Sequence, residues 1–232
     1  MDVYDDLGVR KYVNGFATIT SLGGSLMPPE VIAAMADAAR HFVDIDELQE
    51  KAGARIAAWT RNEAAYVSCG AAAGLVLTTA ACITGLAAER RAKLPLTEGM
   101  ANEVNVHRAG RVGYAFAIRQ AGGRLVEIGT DAGAVEADLE GAITPRTVAI
   151  TCFWNVTRMQ GQVPLERQIE IGRRHGVPVI VDAAAQIPPV DNLWRFTAMG
   201  AEAALFSGGK GLRGPQASGL IVGSRKLVEA CA

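Results

Sequence analysis

An α/β fold with a mainly parallel sheet is the class this sequence predicts, and three observations carry it. Short apolar runs alternate with alanine-rich or amphipathic stretches of helical length between residues 64 and 182. The run 177–181, VPVIV, is apolar at every position, as expected of a strand covered on both faces. Glycine, proline and small polar residues punctuate the runs. Strands separated by helices imply a sheet between two helical layers, a three-layer sandwich.

Taken in order, residues 11–25 read as a turn-rich, partly extended lead. Pro28 and Pro29 suit a helix start, where a missing N–H costs nothing. Val31, Met35, Ala38 and Phe42 then fall on one helical stripe, and Leu48, Ala52, Ile56 and Trp59 on a second. Both stripes read as core contacts. A strand is predicted at 64–67 and an alanine-rich helix from Ala71 to about Ala88. Strands follow at 104–106, 124–128, 147–153 and 177–181, with helices at 113–120, 135–143 and 165–175 between them. Gly176 closes the last of these helices. Residues 203–206 and 219–222 are two further apolar runs, flanking a glycine-dense bend.

Composition narrows the function classes. The chain has 232 residues, half of them hydrophobic, with 23 basic against 24 acidic side chains and a net charge of -1. That balance lacks the clustered positive charge of a nucleic-acid surface. No run of 18 apolar residues suggests a membrane span, and the acidic start MDVYDDLGVRK lacks a signal core. Cys69, Cys82, Cys152 and Cys231 form no C-x-x-C pair and read as buried thiols of a reducing compartment, so a cytoplasmic location is expected. His41, His107 and His175 show no metal-ligand spacing.

Three places attract chemistry. Ser68, Cys69 and Gly70 sit between a strand and the start of the alanine-rich helix. Free N–H groups and the helix dipole favour an anion there, and small side chains admit a phosphate; a plain tight turn is the alternative. Asp182 caps the strand 177–181, where ligands bind in parallel sheets, although an aspartate there also serves as a helix N-cap. Lys210 stands in SGGKG with no acidic residue within five positions. It is either an amine nucleophile able to form an imine or a solvated loop lysine. Two further patterns in that loop are set aside. Gly209, Gly211 and Gly214 spell G-x-G-x-x-G, but Pro215 and a strand-like run follow instead of a helix. Ser207 and Lys210 spell S-x-x-K without S-D-N or K-T-G partners.

An anion site, a strand-end carboxylate and a lysine, in this order, match the handles of pyridoxal phosphate: phosphate, pyridine nitrogen and aldehyde. The segments VNGFATITSLGGSLMPPEVIAAM, VIVDAAAQIPPVDNLWRFTAMGA and LFSGGKGLRGPQASGLIVG carry a closer likeness. Through them the chain resembles the L-seryl-tRNA(Sec) selenium transferase-like family of fold-type-I pyridoxal phosphate enzymes, in particular its D-glucosaminate-6-phosphate ammonia-lyase branch. The resemblance implies Lys210 as the Schiff-base lysine and Asp182 as the pyridinium partner. It implies Cys69, Gly70 and Ala71 as the phosphate turn, with Ser207 a further phosphate contact. Ala184 would lie on one ring face and His107 near the other. By location alone, after the strand ending at Phe153, Asn155 and Thr157 are expected within reach of the ring hydroxyl.

The implied activity is β-elimination on a β-hydroxy amino acid resembling D-glucosaminate 6-phosphate, giving a 2-keto acid and ammonia. The runner-up is a transferase of the selenium transferase type; a non-catalytic remnant of the fold is a third reading. A nicotinamide-dependent dehydrogenase is disfavoured, since no glycine fingerprint opens a helix. The expected partner is a small amino acid or amino-sugar acid, with no nucleic acid and no membrane, in a homodimer or larger homo-oligomer. Family members run longer and add a C-terminal small domain. The expectation is therefore a large domain over 1–232, with 1–30 as its leading segment, lacking that small domain and incompetent alone.

Overall fold

The computed structural model of the chain describes residues 2–155 and 159–232. Helices α1 (Val3–Asp6), α2 (Pro29–Ala38) and α3 (Ile45–Trp59) precede strand β1 (Ala64–Ser68). Helix α4 (Ala71–Thr84) and the single turn α5 (Ala88–Arg91) lead to β2 (Glu103–His107). A 3-10 turn, Gly113–Ala115, opens α6 (Phe116–Gln120). Then β3 (Arg124–Ile128), α7 (Glu136–Gly141), β4 (Thr147–Phe153), α8 (Leu165–His175) and β5 (Val179–Asp182) alternate. Helix α9 (Asn192–Ala198), β6 (Ala203–Ser207), β7 (Gly219–Gly223) and α10 (Arg225–Cys231) follow.

The strands form one sheet in the order β1-β7-β6-β5-β4-β2-β3. Strand β7 runs antiparallel to β1 and β6, and the other described pairings are parallel. Period-two alternation divides the strand residues between two cores. Val104, Val106, Ile180, Leu205 and Ile221 pack with Leu75 of α4, Ile118 of α6 and Leu227 of α10. Val179, Val181, Ala204, Phe206 and Val222 pack with Ala57 of α3, Leu139 of α7, Ile169 of α8 and Phe196 of α9. The predicted three-layer sandwich is what forms.

Local chemistry explains the helix ends. Pro28 is the N-cap of α2 and Pro29 its first residue. Gly176 ends α8 at φ 68°, a left-handed turn that glycine adopts without strain. Alanines let α4 lie close to the sheet; a Cβ on Gly74 would reach 3.3 Å from Ile221. The helix predicted to about Ala88 stops at Thr84, because Gly85 takes φ 56° and turns the chain. The helix predicted at 113–120 begins with the 3-10 turn instead.

The first N-terminal stripe is corrected and the second holds in part. Helix α2 buries no residue, and Phe42 and Trp59 are 109% and 70% exposed. Helix α3 meets the core through Ile56 of its stripe together with Gly53 and Ala57, while Leu48 is exposed. Nothing in the described chain covers the outer side of α2 and α3, so an amphipathic stripe there is a surface. Cys69 is likewise exposed, not buried, since its turn opens onto a cavity; Cys152 and Cys231 are buried as expected. Among the described residues no helix is long and apolar enough to cross a membrane.

Candidate active site

Two cavities adjoin beyond the carboxyl ends of the central strands. The smaller, about 180 Å³, is walled by Cys69, Gly70, Ala71, Ser207, Thr20 and Gln216. The larger, about 700 Å³, is walled by Phe153, Trp154, Asn155, Phe116 and Val112. Tyr114, Asp182, Ala184 and Lys210 line both. A third cavity, about 650 Å³, lies at the amino ends of the strands beside Cys82, Arg173, Glu202 and Lys226, away from these groups.

The turn 68–71 has the form of an anion site. Gly70 is the N-cap of the 14-residue α4 at φ 125°, a conformation open to glycine. No side chain caps the helix, so its first N–H groups are free. The Ser68 hydroxyl donates to the Gly70 carbonyl oxygen at 2.9 Å and holds the turn. Strand β7 starts directly behind it: a Cβ on Gly219 would lie 2.7 Å from the Gly70 oxygen and 2.8 Å from the Ala71 nitrogen. Opposite, Ser207 ends β6 nearly buried, and among the described residues its hydroxyl has no partner. A hydroxyl open to the cavity and a free helix start together fit a phosphate group.

Asp182 ends β5 in register with Phe153 of β4 and Leu205 of β6. Its Oδ1 accepts the Ala184 N–H at 3.0 Å, which aims the carboxyl into the cavities. Burial pushes its pKa up to about 6, against the Ala184 hydrogen bond and the nearby Lys210 charge, which lower it. A positive group placed beside Asp182 would return it to the charged form. Lys210 follows Gly209 in the loop between β6 and β7, partly buried, and its ammonium makes no hydrogen bond or ion pair among the described residues. The glycines around it serve the loop's own packing. A Cβ on Gly208 would meet Ser218, one on Gly209 would meet Gln216, and one on Gly211 would meet the Ile187 carbonyl.

Of the residues singled out from sequence, Lys210, Asp182, Cys69, Gly70, Ala71, Ser207, Ala184 and Asn155 all line these cavities. Thr157 lies outside the described residues. His107 is not brought to the site. Val104 and Val106 of β2 face the α4 side of the sheet, as Ile180 of β5 does. Alternation therefore turns Asp182 to the α4 side and His107 to the α8 side. His107 is 1% exposed, both its ring nitrogens lack partners among the described residues, and burial lowers its pKa to about 4. Tyr114, 46% exposed, stands over the cavities instead. Reading 113–120 as one helix hid it; a glycine-preceded aromatic after a strand end was the available signal. Thr20 and Gln216 were also missed, since only the fold brings them near Lys210.

The architecture is that of the fold-type-I large domain. An aspartate aminotransferase of Thermus thermophilus, 18% identical, superposes on 72% of this chain and 43% of its own at a TM-score of 0.52, which speaks to fold alone. A solved D-glucosaminate-6-phosphate ammonia-lyase is far closer: 36% identity, a TM-score of 0.93, all of this chain and 63% of that one.

A family model described as L-seryl-tRNA selenium transferase matches residues 12–232, and the chain belongs to that family. Two curated relatives are similar over most of its length. A D-glucosaminate-6-phosphate ammonia lyase of Salmonella typhimurium is 36% identical over 99% of this chain and 62% of its own length. A 5'-C-glycyluridine monooxygenase-decarboxylase of a Streptomyces species is 39% identical over 98% of this chain and 58% of its own. The chain thus spans about three-fifths of the length of these relatives.

Proposed function

We propose that this chain forms the cofactor-binding part of a pyridoxal phosphate-dependent lyase acting on a β-hydroxy amino acid of the D-glucosaminate 6-phosphate type. The observation that carries the reading is the convergence of Lys210, Asp182, Ser207 and the free start of α4 on two adjoining cavities. The similarity to an ammonia-lyase at a TM-score of 0.93 supports it.

Each residue has a task. The N–H groups at the start of α4, with Cys69, Gly70, Ala71 and the Ser207 hydroxyl, bind the phosphate. Asp182 holds a proton at the pyridine nitrogen. Ala184 and, in place of His107, Tyr114 would hold the two faces of the ring, and Asn155 would contact the ring hydroxyl, a reading supported by their positions on the cavity walls. The cofactor, when bound, supplies an electron sink for charge at the substrate α-carbon. The Lys210 amine would hold the cofactor covalently and would serve as the base for the substrate α-proton. Loss of the β-hydroxyl as water, then hydrolytic release of ammonia, leaves a 2-keto acid.

The family's name supports a second reading, a transferase in which a nucleophile adds at the β-carbon after the β-hydroxyl has left, and the amine is kept. A cytoplasmic homo-oligomer belongs to either reading, supported by the free cysteines and the exposed apolar side chains of the N-terminal helices.

The test begins with a visible absorbance band on adding pyridoxal phosphate, abolished by borohydride. Peptide mass spectrometry should then place the adduct on Lys210; an adduct on Lys226 or Lys93 refutes the assignment. With a β-hydroxy amino acid, ammonia and a 2-keto acid mark the lyase. Oxygen uptake, or product only with an added nucleophile, overturns it. Because the chain is read as the cofactor-binding part, turnover is compared with that of a protein extended to the length of its relatives, and binding without turnover in that longer protein marks a non-catalytic remnant.

A further inference from the structure

Lys210 sits where the backbone constrains itself least. Gly208, Gly209 and Gly211 surround it, and glycine has the widest choice of conformations. Within the loop, the Gly208 N–H donates to Ser218 O at 2.8 Å, Gly214 N–H to Gly208 O at 2.7 Å and Arg213 N–H to Lys210 O at 2.9 Å. None of these holds the peptide between Gly209 and Lys210.

That peptide is held from elsewhere. The Gly209 carbonyl oxygen accepts the Ser25 N–H at 2.8 Å and the Ser25 hydroxyl at 3.1 Å. With its amide nitrogen turned toward them, Gln216 donates to the same oxygen at 3.3 Å and to Gly23 O at 3.2 Å. Gly24 is buried here at φ 77°, and a Cβ on it would overlap the Gly209 oxygen and the Gln216 amide. By contrast, the described hydrogen bonds and ion pairs of residues 8–18 reach only residues 2–17, and Val13 and Phe16 are exposed.

The geometry points to Ser25 and Gln216 as positioning residues that clasp the Gly209 carbonyl and thereby aim the Lys210 side chain into the cavities, making residues 23–25 a strap across the lysine loop. A peptide unit is planar, so holding its oxygen fixes the plane that contains the Lys210 nitrogen and Cα. The Lys210 Cβ direction then follows from φ about N–Cα, which is limited because the Arg213 N–H holds the next peptide through the Lys210 carbonyl oxygen at 2.9 Å. The strap also brings Thr20 to the wall of the smaller cavity. Three donors on one carbonyl are more than a loop contact needs, and the close approach of Gly24 to Gly209 leaves no room for another arrangement.

This inference rests on the reading of Lys210 as the cofactor lysine, and its test separates the two. Ser25→Ala and the double variant Ser25→Ala with Gln216→Ala are compared with the parent and with Ser25→Thr, which keeps the hydroxyl. The first readout is hydrogen exchange of the Ser25 amide without cofactor. It should be protected in the parent and exchange about tenfold faster in the double variant. The second is the rate at which acetic anhydride labels Lys210, and the third the rate of borohydride-trapped pyridoxal phosphate capture there. Both should change by about tenfold in the double variant, less in Ser25→Ala, and return in Ser25→Thr, with the melting temperature little moved. Unchanged Ser25 exchange overturns the clasp, as does released exchange with parental Lys210 labelling. If the parent captures no pyridoxal phosphate, the cofactor reading fails, and exchange with anhydride labelling still decides the clasp. Should the double variant not fold, Ser25→Ala, which leaves the backbone bond, decides between the same outcomes.

Discussion

His107, fully buried, and Asp182, partly buried at the cavity wall, are two titratable groups that lie on opposite faces of one sheet, and their pH behaviour separates them. The Asp182 carboxyl rises to about 6 through burial. The folded chain therefore binds its proton more tightly than the unfolded chain, whose aspartates titrate near about 4. Stability from this group is present below about pH 4 and lost as pH climbs through about 6. Asp182→Asn should remove that loss. In cofactor-free protein its gain over the parent should be larger at pH 8 than at pH 4 by on the order of 2 kcal/mol, read by urea unfolding. A gain independent of pH would contradict the buried carboxyl. His107 runs the other way: burial lowers it to about 4. The unfolded chain takes a proton first, so stability falls as pH drops from about 6.5 toward 4. His107→Phe should abolish that fall and leave cofactor capture at Lys210 intact. Lost capture in a variant of parental stability would return His107 to the site. The chemical types of these residues were legible in the sequence. The face each one takes was not, because alternation assigns faces only relative to neighbouring strands.

At the scale of elements, the phosphate turn depends on the strand behind it. Gly219 opens β7 against the Gly70 carbonyl and the Ala71 nitrogen, both backbone atoms that cannot swing aside. Gly219→Ala should push the start of α4 outward. Overpacking of this kind costs about 1–3 kcal/mol, and pyridoxal phosphate binding should weaken by about tenfold or more. Gly141 in α7 is the control: a Cβ there meets nothing within 4 Å, so Gly141→Ala should hold or slightly raise the melting temperature. Equal loss in both variants would show that the approach at Gly219 is not special. Strands β1 to β7 were all legible as apolar runs bounded by turn residues. The 3-10 turn at Gly113–Ala115 was not, since its stripe also fits an α-helix. That difference lifts Tyr114 out of a helix and into the cavities.

For the whole molecule, the N-terminal helices pose the question of association. Val13, Phe16, Leu26, Phe42 and Trp59, in and around these helices, are all exposed large apolar side chains, a concentration that favours association. Sedimentation velocity should show a dimer or larger species at micromolar concentration. Replacing Phe16, Leu26 and Phe42 by serine should shift it toward monomer with unchanged far-ultraviolet circular dichroism. A monomeric parent would mean that this surface is tolerated in water. By itself, the sequence determined the α/β class, the strand and helix order, and the candidate lysine, aspartate and anion turn. These follow from local periodicity and from residue types whose chemistry travels with them. Only the tertiary structure decided that β7 reverses behind the α4 start and that His107 faces away while Tyr114 faces in. It alone decided that Ser25 reaches Gly209 across 184 positions of sequence. Sheet order and register are set by contacts between distant segments, and no local pattern records which segments meet.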